Sequence, residues 1–221
     1  MSPLTVIEYI RDPDEVWNLP RAMLEGLARD FPAVRFLSPR DRADVGERLP
    51  EADVVLGWAV RAENFSGAAR LRWIHVPAAG VGAMLFPALA ESDIVLTNGR
   101  GIHATSMAEH TLGVMLAFAR KLHLARDAQR ERRWRQREMW SDPPVLRELA
   151  GGTLGLLGLG AVGSAIARLV RPLGVRVIAV RRHPAADAAP ADEQWGVGRL
   201  DEMLARADWI VLAAPLTAET R

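Results

Sequence analysis

Thr153-Leu154-Gly155-Leu156-Leu157-Gly158-Leu159-Gly160-Ala161-Val162-Gly163 joins an apolar run to a helical pattern through a G-x-G-x-x-G turn. Thr153–Gly158 reads as a strand, Val162–Leu173 as a helix and Val175–Val180 as a second strand. A strand–glycine loop–helix–strand unit over residues 153–180 is the arrangement that holds the pyrophosphate of a dinucleotide. In such a unit Gly158 permits the tight turn and Gly160 lets backbone approach the pyrophosphate. Gly163 lets the helix lie close to the strand. The start of the helix then offers free N–H groups and the positive end of its dipole.

The end of the second strand decides which dinucleotide fits. An enzyme that uses NAD places Asp or Glu there for the ribose 2′-hydroxyl. Here Val180 is followed by Arg181-Arg182-His183, and no acid occurs between Gly158 and Ala186. A 2′-phosphate would meet two guanidiniums at Arg181 and Arg182, so NADP is expected ahead of NAD. The competing explanation is composition: arginine is nearly the only cation, and Lys121 is the single lysine. The missing acid is the stronger half of the argument.

The remaining totals narrow the class. A chain of 221 residues can bury one large core or two modest ones. Its 28 basic and 27 acidic residues leave a formal charge of +1, which gives no general drive toward nucleic acid or anionic membrane. With no cysteine there is no disulfide, thiolate metal site or cysteine nucleophile. Met1–Ile10 carries Glu8 in its apolar stretch and does not read as a signal peptide. Thr111–Ala119 is too short to span a bilayer. A cytoplasmic protein is expected.

Working outward, residues 1–98 alternate short apolar runs with helical patterns. Leu4–Ile10, Val34–Leu37, Val54–Trp58, Trp73–Val76 and Ile94–Thr97 read as buried strands. Arg21–Asp30 reads as a helix behind Pro20, with weaker helices over Ala62–Ala69 and Ala83–Ala90. This predicts an α/β domain with a parallel sheet covered on both faces. Asn98-Gly99-Arg100-Gly101 is the break. A long helix from Thr105 to Arg126 follows, with Met107, Thr111, Val114, Met115, Phe118 and Leu122 on one side. Ser106 and Glu109 have capping-box spacing. The helix is expected to run on through Arg130–Arg137 and stop near Asp142-Pro143-Pro144. After it come Thr153–Gly158, Val175–Val180 and Trp209–Ala213 as three strands, with a further helix at Leu200–Arg206. The second domain, residues 99–221, is thus a doubly wound sheet with three of about six strands, and on the order of ninety residues are expected to be missing.

Four stretches together resemble the D-isomer-specific 2-hydroxyacid dehydrogenase family. They are Trp73-Ile-His-Val-Pro-Ala-Ala-Gly80-Val-Gly82, Asn98-Gly-Arg-Gly-Ile-His-Ala-Thr-Ser-Met-Ala-Glu109-His110, the glycine loop Gly155–Gly163, and Ala207-Asp-Trp-Ile-Val-Leu-Ala-Ala-Pro215-Leu-Thr-Ala-Glu-Thr220. With Arg181-Arg182 the chain is most similar to the glyoxylate/hydroxypyruvate reductase branch. The resemblance implies a flavodoxin-like substrate domain at 1–98 and a partial Rossmann NAD(P)-binding domain at 99–221. It also implies hydride transfer between a nicotinamide and a small 2-keto or 2-hydroxy acid.

Site residues follow from the same resemblance. The loop Ala79-Gly80-Val81 would offer N–H groups to the substrate carboxylate in a cleft between domains. Gly82 stands where the family often has Asp. Thr105 and Met107 would lie near the nicotinamide, with Gly160, Ala161 and Val162 on the pyrophosphate. Ala214 and Pro215 would border the adenosine, and the long helix with its following arm would support a homodimer. The family's catalytic arginine, glutamate and histidine would lie beyond Arg221. None of His75, His103, His110, His123 and His183 falls in the family's catalytic segment. The 221-residue chain is therefore expected to bind cofactor weakly or not at all and not to turn over. A non-catalytic NAD(P)-binding or interaction protein is the second reading.

Other features are assigned structural roles. His103 and His110 lack a second set of suitably spaced metal ligands. His75 in an apolar strand is expected to be packed against a backbone partner, and Glu109-His110 to serve helix capping. Arg130–Glu138 sets five arginines around Trp134, which suggests either a nucleic-acid patch or a solvated helix end or dimer arm. Two glutamates and the chain-wide arginine bias favour the arm, so no nucleic-acid, membrane or metal partner is expected.

Overall fold

The computed structural model describes residues 3–11, 18–217, 219 and 220. Met1 and Ser2 of the leader reading, and Ala218 of the last resembling stretch, lie outside the described residues, as do residues 12–17 and Arg221. The chain forms two compact units, Met1–Ile102 and His103–Arg221.

The first unit is a five-stranded parallel sheet. Its strands are β1 (Leu4–Tyr9), β2 (Val34–Leu37), β3 (Val54–Gly57), β4 (Trp73–Val76) and β5 (Val95–Asn98), and its helices α1 (Arg21–Asp30), α2 (Arg42–Arg48) and α3 (Pro87–Ala90). The order β2-β1-β3-β4-β5 is the flavodoxin-like order. Ile7, Val55 and Ile74 from the three central strands are fully buried and pack with Val45, Leu49 and Val60. Asp53 ties the start of β3 to β1: its carboxylate accepts the Thr5 N–H at 2.9 Å and pairs with Arg70 at 3.1 Å. The Thr5 N–H, helped by Arg70 and Arg72 and opposed by burial, holds this carboxyl below its ordinary pKa.

Two local readings needed correction here. Ala62–Ala69 is not a helix; only a 3-10 turn at Phe65–Gly67 forms. Asn64 Oδ1 accepts the Arg61 N–H and its Nδ2 donates to the Ala59 carbonyl, so the side chain takes groups a helix would need. Conversely, α2 went unread because its residues are mostly charged, although Asp41 caps it by accepting the Asp44 N–H.

The second unit contains α4 (Ala104–Ala119), α5 (Leu122–Arg130), α6 (Gln136–Ser141), β6 (Thr153–Leu157), α7 (Ala161–Val170), β7 (Arg176–Val180), β8 (Glu193–Trp195), α8 (Leu200–Arg206) and β9 (Trp209–Leu212). The parallel order is β8-β7-β6-β9, so the unit has four strands where three were expected. The extra strand β8 is three residues long and follows a polar loop, which leaves no periodic signal. In β7, Val177 and Ala179 join the core under α7, while Ile178 and Val180 pack with Trp195 and Met203 on the opposite face. Burial on both faces accounts for its unbroken apolar run.

The long helix is not continuous. It begins at Ala104, with Ser106 Oγ donating to the His103 carbonyl instead of forming the expected capping box with Glu109. The buried side of α4 is Ala108, Met115 and Ala119, packed with Ile166, Ala167 and Val170 of α7; Met107, Val114 and Phe118 are exposed. Small residues win this face because two helices lie close together there.

The α4–α5 break falls at Lys121, whose φ is +52°. A non-glycine residue is rarely held in the left-handed region. Lys121 is 1% exposed, and its Nζ donates to the Met139 and Asp142 carbonyls at the end of α6. These bonds fasten α6 to the elbow and hold the bend. Among the described residues, no helix is long and apolar enough to cross a membrane. Replacing Lys121 by Met removes both donors and leaves two part-buried carbonyls without them; urea unfolding should show a loss of about 1–3 kcal/mol.

Candidate dinucleotide-binding site

The strand order of the second unit's parallel sheet reverses at β6, which lies between β7 and β9. At such a switch point the carboxyl ends of the strands open a crevice. The glycine loop enters it directly from β6. Gly158 adopts φ +96°, and its N–H donates to the Val180 carbonyl at 2.8 Å. A Cβ there would stand 2.7 Å from the Ala214 nitrogen, so the turn passes against the chain leaving β9. A Cβ on Gly163 would stand 2.2 Å from the Gly158 carbonyl oxygen. The helix thus lies on the loop at a separation only glycine permits.

Gly160 differs from both neighbours. A Cβ on it would meet nothing within 4 Å, so its space is kept clear. Gly160 is the N-cap of α7 and brings no side-chain cap. The N–H groups of Ala161, Val162 and Gly163 therefore have no i−4 partner inside the helix. Ala161 is exposed, and Val162 is half-buried against the core. Clear space beside uncapped donors at the positive end of a ten-residue helix fits a pyrophosphate.

The chain after β7 and the chain after β9 border the same crevice. Arg181 donates its N–H to the Trp195 carbonyl, and its guanidinium lies 3.5 Å from Gln194 Oε1. Arg182 turns elsewhere: its Nη2 lies 3.9 Å from Glu219 Oε2. The two arginines thus face different neighbours. Ala214 is half-buried and Pro215 exposed; the Pro215 carbonyl accepts Thr220 Oγ1 at 2.6 Å. Thr217 Oγ1 donates to Glu219 Oε2 at 2.7 Å. That bond, the residue's own backbone and then Arg182 hold the Glu219 carboxyl below its ordinary pKa. Sequence reasoning missed Glu219, because its place opposite Arg182 comes from sheet order and not from spacing along the chain.

Thr105 and Met107 occupy the exposed first turn of α4, where the Met107 carbonyl accepts Thr111 Oγ1. Ala79, Gly80 and Val81 belong to the first unit, after β4. The Ala79 carbonyl accepts Asn98 Nδ2 at 2.6 Å, the Val81 carbonyl accepts the Met84 N–H, and Ala79 and Gly80 are exposed. His75 Nδ1 lies 2.9 Å from Thr97 Oγ1, a side-chain partner where a backbone one was expected.

Comparison with known proteins agrees with this geometry. Residues 112–221 match the family described as D-isomer specific 2-hydroxyacid dehydrogenase, NAD binding domain. The chain belongs to the D-isomer-specific 2-hydroxyacid dehydrogenase family. A solved family member from Aeromonas salmonicida is 32% identical, with TM-score 0.81 over 99% of this chain and 66% of that one. The NADPH-dependent glyoxylate/hydroxypyruvate reductase of Sinorhizobium meliloti, solved with NADP and sulfate, is 26% identical, with TM-score 0.77 over 99% of this chain and 64% of that one. The glyoxylate reductase of Thermococcus kodakarensis is 29% identical over 216 residues, 94% of this chain and 58% of that protein. The chain spans between about a third and somewhat more than half the length of the curated family members it matches.

The two helix-side glycines of this family member separate by stability. Gly163→Ala should destabilise the fold by about 1–3 kcal/mol, because backbone must move. Gly160→Ala should leave the urea midpoint within a few tenths of that of the parent.

Proposed function

We propose that this chain carries the cofactor side of an NAD(P)-dependent oxidoreductase that moves a hydride between a nicotinamide and a small 2-keto or 2-hydroxy acid of the glyoxylate or hydroxypyruvate type. The observation that carries this reading is the clear space at Gly160 beside the uncapped start of α7, set at the reversal point of a parallel sheet. When bound, the dinucleotide supplies the hydride. The N–H groups of Ala161, Val162 and Gly163 receive the pyrophosphate, while Gly158 and Gly160 keep the turn tight and open. Ala214 and Pro215 border the adenosine, and Thr105 and Met107 border the nicotinamide. Residues 1–98 form the substrate domain, in which the Ala79-Gly80-Val81 backbone receives the substrate carboxylate, and residues 99–221 form the cofactor domain. No proton-transfer role is assigned to any of the five histidines.

NADP is the preferred cofactor in this reading. Arg181 and Arg182 stand after β7, where a 2′-phosphate would lie, with no acid between Gly158 and Ala186. The relative from Sinorhizobium meliloti was solved with NADP. We further propose a cytoplasmic homodimer joined through the arm α5–α6. That arm leaves Trp134 87% and Trp140 71% exposed beside a groove of about 750 Å³. Its arginines are partly neutralised, as Arg133 pairs with Glu131 and Arg135 with Glu138, which suits a protein partner better than nucleic acid.

Titrating NADPH and NADH separately while following tryptophan fluorescence tests the cofactor reading. NADPH should bind at least about tenfold more tightly, since charged hydrogen bonds to a phosphate contribute roughly 1.5–3 kcal/mol. Equal or tighter binding of NADH would contradict it.

A further inference from the structure

The loop after β9 places a carboxylate on the arginine that the preceding reading gives to the 2′-phosphate. Arg182 Nη2 and Glu219 Oε2 are 3.9 Å apart, and both side chains are about two-thirds exposed, at 67% and 70%. Glu219 is seated for this contact. Thr217 Oγ1 donates to the same Oε2, the Thr217 N–H donates to Thr220 Oγ1, and Thr220 Oγ1 donates in turn to the Pro215 carbonyl. This turn presents the carboxylate to Arg182. Arg181 does not share the load, because its guanidinium is turned to Gln194.

We propose that Glu219 is a specificity-determining residue: an internal counter-ion that occupies Arg182 in the absence of cofactor and limits the preference for NADP over NAD. The inference rests on the reading of Arg182 as a 2′-phosphate group. Two anions compete for one guanidinium. A phosphate carrying nearly two charges outbids a carboxylate for arginine, but it must displace Glu219 and then lie near that charge. A 2′-hydroxyl has no such conflict, and it can donate a hydrogen bond to Glu219. The same carboxylate therefore weakens NADP binding and tolerates or assists NAD binding. It places, from a position 37 residues further along the chain than Arg182, a carboxylate that no residue between Gly158 and Ala186 supplies. The pair is exposed, so its effect is modest and screened by salt.

The test is a double-mutant cycle on the 221-residue protein, with NADPH and NADH binding measured by fluorescence and NMR for the parent, Glu219→Gln, Arg182→Ala and the double variant. Glu219→Gln should tighten NADPH about two- to fivefold at low salt and leave NADH unchanged or weaker. In the Arg182→Ala background the NADPH gain should vanish. If Arg182→Ala weakens NADPH while Glu219→Gln changes neither nucleotide, this inference is overturned and the NADP reading stands. If Arg182→Ala leaves NADPH binding unaltered, both are overturned. Unchanged circular dichroism and thermal midpoints in all variants identify the effects as local.

Discussion

The close passage of α7 over its own entry loop is the constraint on which the second unit depends. With a Cβ on Gly163 placed 2.2 Å from the Gly158 oxygen, any other residue forces helix and loop apart. Holding them together fixes where α7 begins. That start sets which N–H groups are left unpaired, and Gly160 keeps the space before them clear. The reversal of strand order at β6 then brings the segments after β7 and β9 to the same crevice. Leu154 and Leu156 beneath the loop are fully buried with Ile166 and Val170 of α7, so the site rests on a packed core and not on a mobile surface segment.

Much of this is legible in the sequence, for physical reasons that differ by element. Apolar runs announce strands, and every strand read that way formed, from Leu4–Tyr9 to Trp209–Leu212, although the edge strand β9 leaves Ile210 and Leu212 exposed where a buried strand was expected. Glycines at a close contact are legible because few other residues can replace them. Elements held by polar side chains are harder to read. The helix Arg42–Arg48 depends on the Asp41 cap more than on a long apolar stripe, and Glu193–Trp195 is too short for alternation to show. The bend at Lys121 was hidden because nothing in Arg120-Lys121-Leu122 breaks a helix by propensity. It is tertiary contact with the end of α6 that imposes it.

Charge followed the same division. The excess of arginine over lysine made individual arginines uninformative along the chain, and the structure resolves them by partner. Arg70 and Arg72 serve the buried Asp53, Arg48 serves Asp44, and Arg199 stacks 3.6 Å from the Trp195 ring centroid. Arg181 and Arg182, adjacent in sequence, take separate partners in Gln194 and Glu219. Spacing alone located the arginines but could not show which carboxylate would face them, because that depends on how strands distant in the chain become neighbours.

The proposed function turns on whether the uncapped start of α7 receives a dinucleotide pyrophosphate. Amide-resolved NMR during an NADPH titration measures this most directly. The proposed function predicts that the largest shifts fall on the N–H groups of Gly160, Ala161, Val162 and Gly163, with smaller ones after β7 and β9. Shifts centred elsewhere, with these four amides unmoved at saturation, would contradict it.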